Sequence, residues 1–186
     1  MNHRREPDTR FLGNERREVT LFGFLRIVDS FNTLLGRIGG WLFVPLTLII
    51  FLDVVLRYIF NSPTIWAWDV NVQLMGALVA LGGGYTLLHG GHVCIDILIA
   101  NLPKRKKAMI DAITSVLAIF GLVALSWRVG IYTWMAVEIQ EHFSSTWYPP
   151  IYPLKIVIAI GVVALLCQAI ATLIRQVMVI TTESER

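Results

Sequence analysis

The run IVIAIGVVALLCQAIATLI, Ile156 to Ile174, carries no charged side chain and is bounded by Lys155 and Arg175. At 1.5 Å per residue it makes a helix of about 28 Å, close to the thickness of a bilayer's hydrocarbon core. A stretch that is apolar all round has no polar side to turn to water, so it does not suit the surface of a soluble domain. In lipid its amides have to be satisfied within the segment, which leaves a membrane-spanning helix as the reading.

Three further runs of similar length precede it, at about 38–60, 68–88 and 112–135. The whole chain of 186 residues is 55% hydrophobic and only 16% charged, against about 25% charged in soluble domains. Breakers stand between the runs: Asn61-Ser62-Pro63, Gly90-Gly91, Leu102-Pro103, and Tyr148-Pro149-Pro150 with Pro153. The fold class is therefore an all-α integral membrane protein with four transmembrane helices, grouped in one domain over 37–178. The short first connection suits antiparallel neighbours in a bundle.

Residues 1–18 form a charged leader without hydrophobic periodicity, expected to be disordered. A secretory signal would place a shorter apolar core soon after its charges, so the first helix is expected to stay in the mature chain. Over 19–36, Leu21, Leu25, Val28 and Leu35 keep helical spacing while Arg26, Asp29, Asn32 and Thr33 take the rest of the surface. This reads either as an amphipathic interfacial helix lying against phospholipid or as an extension of the first span. Residues 179–186 form a cytoplasmic tail.

Charge distribution sets the orientation. Of the 16 Lys and Arg residues, seven precede position 38 and four are Lys104–Lys107. By the positive-inside rule both termini and the second connection are cytoplasmic. Trp66, Trp68, Trp134 and Trp147 then fall at the outer interface, as an aromatic belt. The basic residues flank spans rather than forming the basic face of a folded domain, so no nucleic acid is expected as a partner. Two cysteines, Cys94 and Cys167, are too few and too separated for a disulfide framework or metal knuckle.

Several residues invite a closer reading. Asp53 and Arg57 lie at i,i+4 near the outer end of the first span, with the acid N-terminal, as an ion pair prefers. Charged groups at that depth are paired or functional, and a structural pair that meets a partner subunit is the plainer account. Asp69, just after Trp66-Ala67-Trp68, sits in a first helical turn, where an acid is favoured. Gly76, Ala80 and Gly84 share one face of span two at the spacing that lets helices approach closely in lipid. His89, His92 and Asp96 stand where span two meets the inner loop. His92 and Asp96, again i,i+4, read as a hydrogen-bonded pair, since haem ligands would need to project into a bundle core from facing helices. Glu138, Glu141 and His142 give the third connection an acidic surface. No catalytic, cofactor or metal residue is identified, and the chain is not expected to be an enzyme.

Taken in order, these stretches resemble the small membrane subunit of tripartite ATP-independent periplasmic (TRAP) transporters, the DctQ-type family. Asp53-Val54-Val55-Leu56-Arg57-Tyr58-Ile59-Phe60-Asn61, Trp66-Ala67-Trp68-Asp69, and Gly84-Tyr85-Thr86-Leu87-Leu88-His89-Gly90-Gly91-His92-Val93-Cys94-Ile95-Asp96 through Leu102-Pro103 carry the likeness. Tyr152-Pro153-Leu154-Lys155, with Gly161 and Gln168, extends it, so that it covers roughly 35–175. Asp69 stands where the family more often has Glu, and Cys94 where related sequences often carry Arg. The resemblance implies a bacterial inner-membrane subunit that scaffolds a large TRAP membrane subunit. That larger chain would take up an organic anion, delivered by a periplasmic substrate-binding protein, with a coupling cation such as sodium. The alternative from another class is the membrane anchor of a haem or quinone redox complex.

Overall fold

The computed structural model describes residues 9–90 and 104–184. Four helices account for nearly all of them: α1 (Thr9–Tyr58), α2 (Ala67–Leu88), α3 (Lys104–Glu138) and α4 (Tyr152–Ser184). Each contains a stretch long and apolar enough to cross a bilayer: Leu25–Tyr58, Ala67–Leu88, Ile113–Glu138 and Tyr152–Met178.

α1 corrects one expectation and decides between two others. Residues 9–17, read as part of a disordered leader, are the first turns of the helix. A charged composition argues against a packed core, but it does not stop a long helix from extending beyond the membrane. The segment 19–36 runs into the first span without a break. Its apolar side is packed inside the protein: Leu25 and Val28 meet Ala171, with Cys167, Ile174 and Met178 around them. Two turns further on, Leu35 joins Leu81 and Ala164, flanked by Leu42 and Val157. An apolar stripe at helical spacing fits a lipid surface or a neighbouring helix equally well, and here the neighbours are α2 and α4.

α1, α2 and α4 pack against one another, and α3 packs chiefly on α4. The contact residues are small. Ala67, Ala136, Ala164, Ala169 and Ala171 are buried, and lipid, being as apolar as leucine, rewards close approach and hydrogen bonding rather than greasy bulk. Gly161 shows how close the approach is. A Cβ built there would run into the backbone carbonyl of Ala80 on α2. The outward surfaces are bulky by contrast: Phe120, Leu117, Trp127, Trp134 and Ile113 on α3 and Trp41, Phe43, Leu48 and Phe51 on α1 are largely exposed.

Two connections have defined geometry. After α1 the chain turns at Asn61, in the left-handed region (φ 49°), and Ser62 N–H donates to the carbonyl of Leu56 (2.9 Å). After α3, Gln140 (φ 50°) and Tyr148 (φ 52°) turn the chain. Phe143 N–H donates to Pro149 C=O (2.8 Å) and Ile151 N–H to Glu141 C=O (2.9 Å), closing the loop onto itself.

A glycine substitution tests this packing. Gly161→Leu is expected to destabilise the protein by about 1–3 kcal/mol through overpacking. Gly121→Leu, where an added Cβ meets nothing within 4 Å, is expected to be neutral. Thermal unfolding midpoints in detergent read both, and equal midpoints would contradict the close α2–α4 contact.

Candidate functional site: polar clasps at the two ends of the spans

Gln168 is the polar residue within the charge-free run of α4 that is completely shielded from solvent, and Asn32 on α1 is 1% exposed. They face each other. Asn32 Nδ2 donates to Gln168 Oε1 (2.9 Å) and also to the carbonyl of Val28 one turn back on its own helix (3.0 Å). Gln168 Nε2 donates in turn to Asp29 Oδ1 (3.1 Å), and the guanidinium of Arg175 closes the chain on the other oxygen of Asp29. Both amide nitrogens therefore find an acceptor, which fixes the orientation of both amides. The cation at one end polarises the links behind it.

The remaining atom, Asn32 Oδ1, has no conventional hydrogen-bond partner. It lies against Gly84 of α2, where an added Cβ would occupy the same space as the amide. A Cα–H···O contact suits that position, and only glycine leaves room for it. The clasp thus gathers three helices at one level. Beyond it Ser115 Oγ donates to Gln176 Oε1 (2.9 Å), tying α3 to α4.

The opposite end of the spans carries a second set. Asp53 accepts Arg57 on one oxygen (2.8 Å) and, on the other, the backbone N–H of Thr64 (3.2 Å) and its hydroxyl. The pair anticipated from the sequence therefore also staples the first connection to the end of α1. Asp69 is 3% exposed and accepts the hydroxyl of Ser145 (2.5 Å), so the start of α2 is tied to the third connection. Lys155 meets Glu141 (2.5 Å) while its carbonyl accepts the Thr133 hydroxyl (3.2 Å). Trp134 Nε1 donates to Glu138 (2.8 Å). Trp66 precedes α2 without capping it, and Trp68 is exposed.

The small-residue face of α2 divides between two neighbours. Gly76 faces Leu154 and Ala80 faces Gly161, both on α4, whereas Gly84 faces Asn32 on α1. His89 is exposed, its Nδ1 3.0 Å from the carbonyl of Tyr85 and its ring 4.1 Å from that of Tyr85. His92 and Asp96 lie outside the described residues, as does Cys94. The Asn32–Gln168–Asp29–Arg175 clasp escaped the sequence reading, which placed Asp29 and Asn32 on the polar side of a helix without a partner. A lone amide in an otherwise apolar run was the signal available. Among the described residues no group of three or more His, Cys, Asp or Glu side chains is placed to hold a metal ion. The carboxylates of Asp29, Asp53 and Asp69 are each engaged by donors of this chain, an arrangement that fastens helices and loops together.

Gln168→Leu removes an acceptor and a donor from a buried chain and is expected to cost about 1–3 kcal/mol. Combined with Asn32→Ala, the loss is expected to fall short of the sum by at least about 0.5 kcal/mol, since the two amides share one interaction. Unfolding titrations of both single variants and the double variant measure it, and strict additivity would show that the amides do not couple.

With this geometry in place the likeness to known proteins becomes informative. Residues 46–178 match the family described as tripartite ATP-independent periplasmic transporters, DctQ component. That stretch holds the C-terminal part of α1, all of α2 and α3 and most of α4, while Asp29 and Asn32 precede it. The chain is also 30% identical over 64 residues to the C4-dicarboxylate TRAP transporter small permease protein DctQ of Vibrio cholerae serotype O1. That alignment covers 34% of this chain and 28% of the relative's length. The chain belongs to the DctQ family of TRAP transporter small permeases, as a multi-pass protein of the bacterial inner membrane.

Proposed function

We propose that this chain is the non-transporting scaffold of its transporter. Its four spans, with both termini cytoplasmic, brace a large TRAP membrane subunit. That subunit carries out sodium-coupled uptake of an organic anion delivered by a periplasmic substrate-binding protein. The observation that carries this reading is the use made of the polar groups. Asp29, Asp53 and Asp69 are each held by donors from this chain and join one segment to another. Ion-coupled carriers instead present such groups to a central site between broken helices. The bulky outward faces of α3 and α1 offer apolar area to a neighbouring chain or to lipid. The inward orientation is supported by Lys104–Lys107 at the start of α3, by Arg175 near the end of α4, and by the basic residues ahead of the first span.

The test is reconstitution. The chain alone in proteoliposomes is expected to give no sodium-driven uptake, and co-expression with a large TRAP permease is expected to give a stable complex on copurification. Uptake is then restored by adding that permease and a cognate binding protein. The C4-dicarboxylate in the relative's name supplies the first substrate to try. Accumulation driven by sodium in liposomes holding this chain alone would overturn the reading. So would a stoichiometric Soret band in the purified protein, which would point to a redox anchor.

A further inference from the structure

α1 carries a second polar stripe, turned away from α2 and α4. Arg26, Ser30, Thr33 and Arg37 follow one another at three- or four-residue steps, and with Asp29 and Leu34 they line an open concavity of about 330 Å³. Arg26, Ser30 and Arg37 are exposed. Among the described residues neither arginine has a carboxylate partner, because Asp29, the acid in this lining, is held by Arg175 and Gln168. Thr33 Oγ1 donates to the carbonyl of Asp29 (2.7 Å). The concavity therefore has two unneutralised guanidinium groups separated by two hydroxyls.

Its depth narrows what fits. Asp29 lies level with Arg175, which ends the apolar run of α4. That places Asp29 at the membrane boundary, and Arg37, eight residues further along α1, about 12 Å deeper. Helical side chains lean toward the N-terminus of their helix, so Arg37 leans back from that depth toward the boundary and its hydroxyl neighbours. An arginine facing lipid without an anion is costly at such a level. A planar guanidinium pairs with phosphate through two parallel hydrogen bonds.

We propose that the Arg26–Ser30–Thr33–Arg37 face of α1 is a binding site for the phosphate of an anionic glycerophospholipid in the leaflet at the N-terminal end of the spans. Its assignment to the cytoplasmic leaflet rests on the orientation given under Proposed function; the binding itself rests on neither orientation nor partner. Bilayers concentrate anionic headgroups at this level, and basic pockets against transmembrane helices hold them there. The phosphodiester meets Arg26 at the boundary, with Ser30 as a hydroxyl donor and Arg37 reaching up toward it from below, and the acyl chains run along the apolar surface of α1.

Native mass spectrometry of the full chain in detergent tests it, with phosphatidylglycerol, phosphatidylcholine and inorganic phosphate titrated separately. The expected result is a preference of about ten-fold for phosphatidylglycerol over phosphatidylcholine. The double variant Arg26→Gln/Arg37→Gln is expected to abolish that preference, and Arg128→Gln, on exposed α3, to retain it. Phosphatidylglycerol is also expected to raise the thermal midpoint of the unmodified protein more than phosphatidylcholine does, a readout that needs no variant to fold. Equal binding of the two lipids, or a preference that survives the double variant, overturns the proposal. So does competition by millimolar inorganic phosphate, which would make the site one for a free anion. Because the assay contains no large permease, its failure leaves the scaffold reading untouched, and failure of copurification leaves the lipid site untouched.

Discussion

A bilayer offers no hydrogen-bonding partner, so each polar side chain placed between the spans has to be answered by another from the same protein. The Asn32–Gln168 pair is where this constraint acts most strongly. Both amides are buried; Asn32 donates to Gln168, whose own nitrogen donates to Asp29, so each amide is held in one orientation. Apolar side chains alone would leave helices free to slide and rotate in lipid, since contact with a neighbour and contact with an acyl chain are nearly equivalent. A directional chain from Arg175 through Asp29 and Gln168 to Asn32 removes that freedom. It fixes the height and rotation of α1 against α4, and Gly84 then admits α2 to the same level.

Other features follow from that fixed register. With α1 and α4 locked near one end, Leu25 and Val28 fall on Ala171, and Leu35 falls on Ala164 and Leu81. With α2 drawn in by Gly84, Ala80 rests on Gly161 and Gly76 on Leu154. The carboxylates at the far end act on connections rather than on helix crossings. Asp53 holds Thr64 of the first loop and Asp69 holds Ser145 of the third. The two ends thus have separate tasks, one setting how the helices cross and the other holding the loops to the helix ends.

The four spans were legible because length and continuous apolar character are one-dimensional properties that the bilayer reads directly. Ile156–Ile174 needed no knowledge of its neighbours. The Gly76, Ala80 and Gly84 spacing was legible as packing for the same reason, although nothing in it told which helix each residue would meet. The segment 19–36 was harder. Its periodicity gave the helix, but a periodic polar face does not say whether it looks at water, at a headgroup or at a buried amide. Asp29 and Asn32 turned out to face Gln168, 139 and 136 residues away. A long-range pairing of that kind leaves no local trace beyond a single amide in an apolar run. Asp53 and Arg57 fell between these cases, since the i,i+4 pair was local while the contact with Thr64 depended on the path of the loop.

The helix that owes least to the clasp is α3. It is joined to α4 by the Ser115 hydroxyl near one end and the Thr133 hydroxyl near the other. Between Ile113 and Met135 none of its side chains is fully buried. α1, α2 and α4 therefore form the unit whose geometry is fixed from within, and α3 is a rib carried on its side. An arrangement of that kind presents two different surfaces to the membrane. One is a broad apolar flank along α3, where bulky Phe120, Trp127 and Leu117 make area without directional bonds. The other is the α1 face, where Arg26 and Arg37 demand an anion. Area without direction suits a large neighbour or ordinary lipid, and unpaired charge selects for chemistry, so the two faces of this small subunit are specialised by physics before any partner arrives.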